Sequence, residues 1–176
     1  MDLPDLVLVE IEPRRDGRGF FARAFAEEEF AQRGLPTYYP HWNLSRNTAE
    51  GTLRGMHYNA APFREAKLVR CTSGAIWDVV VDLRATSPTR FRWIGVELTA
   101  ERGEALLIPE GFAHGFVTLC RDADVFYQMS RPYTAEAARG FRWDDPRIGI
   151  RWPRDPAVVS DKDRGFRPFD ESTFDG

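Results

Sequence analysis

Short apolar runs, punctuated by turn residues at roughly 8–12-residue intervals, limit what this chain can fold into. The runs are Leu6–Ile11 (LVLVEI), Lys67–Cys71 (KLVRC), Ala75–Leu83 (AIWDVVVDL), Arg92–Leu98 (RWIGVEL), Ala105–Ile108 (ALLI), Gly115–Leu119 (GFVTL) and Val125–Ser130 (VFYQMS). Thr72-Ser73-Gly74, Ser87-Pro88, Arg102-Gly103 and Pro109-Glu110-Gly111 separate them. Such a series predicts an all-β sandwich or barrel. Within Ala75–Leu83, Ile76 and Val80 are expected to face inward, with Asp78 and Asp82 on the other side. One helix is predicted at Ala26–Arg33, stopped by Gly34 and Pro36. A short helical turn is expected at Ala135–Arg139. The tail after Trp152, with Pro153, Pro156 and Pro168, reads as irregular from about residue 153.

The 176 residues suit one domain spanning 1–176. With 43% hydrophobic residues, thirteen Phe and five Trp, wholesale disorder is excluded. No run reaches the roughly 18 apolar residues of a membrane helix, so no membrane partner is expected. The first residues lack a basic stretch followed by an apolar one, and a cytoplasmic protein is expected. The formal net charge is -3, without a basic stripe, so nucleic acid is not the expected partner. Arginines scattered among glycines and aromatics suit a small anion such as a phosphate. Cys71 and Cys120 form no C-x-x-C pair, which fits a reducing compartment.

Two spacings carry more. Gly103 to His114 reads G-x5-P-x-G-x2-H, and Gly51 to Asn59 reads G-x5-H-x-N. Both resemble the half-motifs of the cupin superfamily, a small jelly-roll barrel. Metal-binding members usually carry a second histidine where Asn59 stands. Only His41, His57 and His114 are present, and His41 is expected in a loop without metal spacing. A site of His57, His114 and Glu65 would be a thin ligand set for a transition metal.

In Leu53-Arg54-Gly55-Met56-His57 an imidazole follows an arginine by three residues. The pair suggests a base, with an unperturbed pKa of about 6.5, beside an anion clamp. The alternative is a structural histidine bonded to a backbone carbonyl.

The run RGMHY, KLVRC, DVVVDLR, SPT, PEGFAHGF, FYQMSRPY and RWDDPRIGIRWP resembles the dTDP-4-dehydrorhamnose 3,5-epimerase family over roughly residues 5–165. That resemblance implies a metal-free, cofactor-independent cupin, usually homodimeric, acting on 4-keto-6-deoxy nucleotide sugars. It implies His57 as base, Tyr127 as acid on the opposite face, Lys67 as stabiliser of the enolate oxygen, and Asp163 as partner of His57. It further implies phosphate contacts at Arg18 and Arg54, and site contacts at Phe21, Asn43, Ser45, His114 and Lys162. Each of these has a plainer reading: Arg18 as a turn residue, Phe20 and Phe21 as core, His114 as a satisfied strand-end histidine.

The chain departs from the family's usual glutamate at Arg23 and Ala138, glutamine at His41 and Asn59, and lysine at Gln128. Arg23, His41 and Ala138 are expected on the nucleotide and sugar rim. They leave open a nucleotide other than dTDP, or inversion at only one carbon. Two other classes compete. One is a metal-dependent cupin isomerase or oxygenase using His57, Glu65 and His114. The other is a non-catalytic carbohydrate-binding barrel, against which the set His57, Lys67, Tyr127 and Asp163 speaks.

Overall fold

The structure is a computed structural model that describes residues 2–171. Its strands are β1 (Val7–Val9), β2 (Arg14–Asp16), β3 (Gly19–Phe21), β4 (His41–Asn47), β5 (Thr52–Asn59), β6 (Lys67–Ser73), β7 (Ala75–Asp82), β8 (Trp93–Thr99), β9 (Ala105–Ile108), β10 (Phe112–Thr118), β11 (Ala123–Met129), β12 (Ala138–Gly140) and β13 (Val158–Val159). Two short helices, α1 (Glu27–Gln32) and α2 (Asp161–Arg164), complete it.

One sheet runs β1-β9-β6-β11-β4; the other runs β12-β5-β10-β7-β8, with β13 also on β5. Apart from β13, every pairing is antiparallel. The two inner faces bury Val69, Cys71, Ile76, Val80, Leu106, Phe116 and Val125 between them. This is the expected jelly-roll barrel of the cupin kind. Helix α1 sits where the sequence places it. Its Phe30, with Tyr39, covers Leu68, Ala105 and Leu107 on the outer face of the first sheet. Phe141, Ile148 and Phe169 cover Val79 and Val81 on the outer face of the second.

Four expectations need correction. Side chains alternate with period two, so Ile76, Asp78, Val80 and Asp82 share one face, and all four are buried. Asp82 is satisfied there by Arg84, Ser87 and Thr89. Asp78 meets His114 through Oδ1, while its Oδ2 is buried without a hydrogen-bond partner. Residues 135–137 form a turn rather than a helix, and Ala138–Gly140 leave it as a strand paired with β5. His41 opens β4 instead of lying in a loop. That strand (HWNLSRN) was missed because it lacks an apolar run. It alternates nonetheless, with Trp42, Leu44 and Arg46 exposed and the residues between them turned inward. The tail is not irregular throughout: β13 runs parallel to β5, and α2 follows directly.

Candidate active site

A cavity of about 480 Å³ opens between the two sheets. The first sheet contributes Lys67 from β6 and Tyr127 from β11; the second contributes Arg54 and His57 from β5 and His114 from β10. His57 and Tyr127 therefore line one space from opposing walls.

Arg54 and His57 share this space because of an irregularity. Residues three apart on a regular strand point to opposite faces. Here Arg54 pairs with Phe116 while His57 pairs with His114, so β5 spends three steps where β10 spends two. The extra residue reverses the alternation, as a bulge does. Gly55 permits it: its φ is +143°, and an added Cβ would come within 2.7 Å of the Gly115 Cα. The same register sets His57 opposite His114.

Each of these histidines is held by an aspartate. The His57 Nε2 lies 2.7 Å from Asp163 Oδ1, and His114 Nε2 lies 2.7 Å from Asp78 Oδ1. Asp163 also accepts from the Gly55 N–H, and Ser160 caps α2 by accepting from the Asp163 N–H. Burial pushes the Asp163 carboxyl up, but the His57 hydrogen bond and charge, with Gly55 and Ser160, outweigh it and hold the group below its ordinary value. An ionised Asp163 accepts the Nε2 hydrogen, which leaves Nδ1 as the ring nitrogen with a free lone pair. Phe166, just beyond α2, packs edge-on against the His57 ring at 5.8 Å between centroids.

Lys67 pairs with Glu65 at 3.0 Å. Arg54 donates through Nε to Asn47 Oδ1 at 2.8 Å, and Asn47 is itself fixed to the β11 backbone at Ala123. The Tyr127 phenol is pushed up from its ordinary value, first by burial and further by Glu65, with Arg54 opposing. At neutral pH it is a proton donor.

The cavity thus gathers His57, Lys67, Tyr127, Asp163, Arg54, His114, Lys162 and Ser45. It does not gather three expected residues. Asn43 faces Tyr127 in the β4–β11 register, but its amide donates to Met129 Sδ. Arg18 and Phe21 sit on the β2–β3 hairpin, outside this cavity. There Arg18 pairs with Asp16 across the turn, and Phe21 is 73% exposed. Of the rim departures, Arg23 lines a separate groove beside β1. His41 Nδ1 accepts from the Tyr133 N–H, and Ala138 pairs with Asn59 in the sheet. Sequence reasoning missed Asp78 as a histidine partner, because the strand's parity was misread. It also missed Asn47, for which no signal exists. Glu65 was seen only as a possible metal ligand.

The donors of the thin metal set are committed elsewhere. Both histidine Nε2 atoms face aspartates, and Glu65 is divided between Lys67 and Asn59. Among the described residues, no three His, Cys, Asp or Glu side chains gather as a metal site. No helix there is long and apolar enough to cross a membrane.

Comparison with known proteins agrees with this geometry. The family model for dTDP-4-dehydrorhamnose 3,5-epimerase matches residues 1–171. A dTDP-4-dehydrorhamnose 3,5-epimerase of Sinorhizobium fredii is 46% identical over 156 residues, covering 87% of this chain and 80% of its own. The crystal structure of the Bacillus anthracis enzyme of that name, with TDP and pyrophosphate bound, superposes with a TM-score of 0.93 at 36% identity, covering 96% and 97% of the two chains. A 3'-monoepimerase from Streptomyces bikiniensis in complex with dTDP-quinovose gives 0.89 at 33% identity, covering 96% and 85%. With an imidazole and a phenol on facing walls and this breadth of likeness, the chain belongs to the dTDP-4-dehydrorhamnose 3,5-epimerase family.

Proposed function

We propose that this protein is an epimerase that inverts C3, C5 or both in a dTDP-linked 4-keto-6-deoxyhexose. The single observation that carries the reading is the placement of His57 and Tyr127 on opposite walls of one cavity. The C4 ketone acidifies the hydrogens at C3 and C5. His57, oriented by Asp163, takes one as a proton, and the electron pair moves into the carbonyl as an enolate. The Lys67 ammonium stabilises the developing oxygen charge. Tyr127 returns a proton from the other face, and the centre inverts. Arg54 and Lys162 supply cations for the diphosphate.

The test is solvent deuterium incorporation with dTDP-, CDP- and GDP-linked 4-keto-6-deoxy sugars. Label and inverted configuration are expected at C3, C5 or both of the dTDP sugar. No incorporation with any of the three would end the assignment.

A homodimer is part of the same reading. Among the described residues β1 is an edge strand paired only with β9, and an open edge is a pairing template. A groove of about 520 Å³ runs between β1, α1 and the β2–β3 hairpin. Arg18 and Phe21, implied as binding residues yet outside their own chain's cavity, would then serve the cavity of a second copy. Light scattering is expected to give a dimer, with Arg18→Ala raising KM roughly tenfold, the loss of one charged contact. A fully active monomer would remove this part. The free thiols Cys71 and Cys120 fit a reducing cytoplasm as its setting.

A further inference from the structure

Glu65 takes no part in the proton transfers, yet its side chain is only 5% exposed, against 12% for Lys67. A buried carboxylate is costly unless both oxygens are satisfied. Here they are. Oε1 meets Lys67 Nζ at 3.0 Å, and Oε2 accepts from Asn59 Nδ2 at 3.0 Å.

These partners lie on different walls: Lys67 opens β6 of the first sheet, and Asn59 ends β5 of the second. Glu65 thus ties the two sheets together beside the cavity. Its own backbone is steadied next door, where the Ala66 N–H donates to Ser130 Oγ and the Ser130 N–H to Ala66 O. Lysine is a flexible stem carrying a point charge, so an ammonium that must sit at one oxygen needs an anchor.

We propose that Glu65, locked by Asn59, is a positioning residue of this site. It fixes the Lys67 ammonium where the enolate oxygen forms. The inference rests on the reading of the cavity as a proton-exchange site.

The charge environment fits. The groups facing Lys67 and Tyr127 are Arg46 from β4, Arg54 and His57 from β5, His114 from β10, and Lys162 and Asp163 from α2. Asp163 is held by His57, and Asp78, which meets His114 through Oδ1, is not among the residues lining the cavity. Glu65 is therefore the carboxylate left to balance Lys67. It acts with burial in raising the phenol, against Arg54.

The deciding variant is Glu65→Gln in the full-length protein, with the dTDP-linked 4-keto-6-deoxy sugar in deuterated water. Exchange kcat is expected to fall roughly tenfold to a hundredfold, the effect of a misplaced group beside the reacting atoms. KM should move less than about threefold, because the loss falls on the transition state. The alkaline decline of inversion should shift to lower pH, since the phenol loses its neighbouring anion. Asn59→Ala should move all three readouts in the same direction by less, and it decides the matter if Glu65→Gln fails to fold. A lowered melting temperature with wild-type kcat and pH profile would overturn the inference. Lys67→Ala and His57→Ala separate the two levels. If they abolish exchange while Glu65→Gln and Asn59→Ala do not, only the role of Glu65 falls. If His57→Ala exchanges normally, the site reading falls and this inference with it.

Discussion

His57→Ala is expected to lower both exchange and inversion by roughly 10²–10⁴-fold, the typical contribution of a positioned general base. The side chain is 39% exposed, so the loss is chemical rather than structural, and the melting temperature should change little. Deuterium wash-in followed by NMR reads the abstraction step directly. A variant that exchanges at the wild-type rate would assign the base elsewhere. Asp163→Asn should cost less, because the imidazole is still present, though its tautomer and its charged form are no longer held by the carboxylate.

That aspartate also predicts an acid response. Its folded carboxyl lies below the ordinary value. The pair therefore contributes stability that is present above the unfolded value of about 3.9 and is lost as pH falls through the lower folded one. Acid melting curves of Asp163→Asn should lack this segment.

Tyr127→Phe is expected to separate exchange from inversion. His57 and Lys67 still form the enolate, so solvent deuterium enters. The facing wall has lost its donor, so the proton returns from the side it left, and configuration is kept. Inversion should fall by roughly 10²-fold or more while wash-in falls far less. The result that sinks this is normal epimerisation by the variant, which would make another group the acid. The phenylalanine ring replaces a half-buried phenol of the same shape, so packing against the core cluster that includes Val69 and Phe116 is retained.

The strands β6 to β11 were legible because each carries an apolar run bounded by turn residues. Strand β4 was not, since it alternates exposed Trp42, Leu44 and Arg46 with polar His41, Asn43, Ser45 and Asn47 and so carries no apolar run. A site-lining strand breaks the pattern that usually betrays a strand. Helix α2 was hidden for a different reason: four residues between prolines carry no periodicity, and only the pairing of β13 with β5 brings them to His57.

Family resemblance named His57, Lys67, Tyr127 and Asp163, and the cavity gathers all four. It named Arg18, Phe21 and Asn43 as well, and the single chain does not bring them there.

Local spacing alone determined the all-β class, the position of α1 and the two half-motifs, because turn chemistry and side-chain alternation act over a few residues. Tertiary structure decided which groups meet. Asp163 reaches His57 across 106 residues of chain. Arg54 and His57 share a face only because Gly55 absorbs an extra step against β10. Glu65 meets Asn59 and Lys67 only because the two sheets close on one another. Such contacts depend on register and closure, which the packing of the whole barrel sets and no short stretch of sequence encodes.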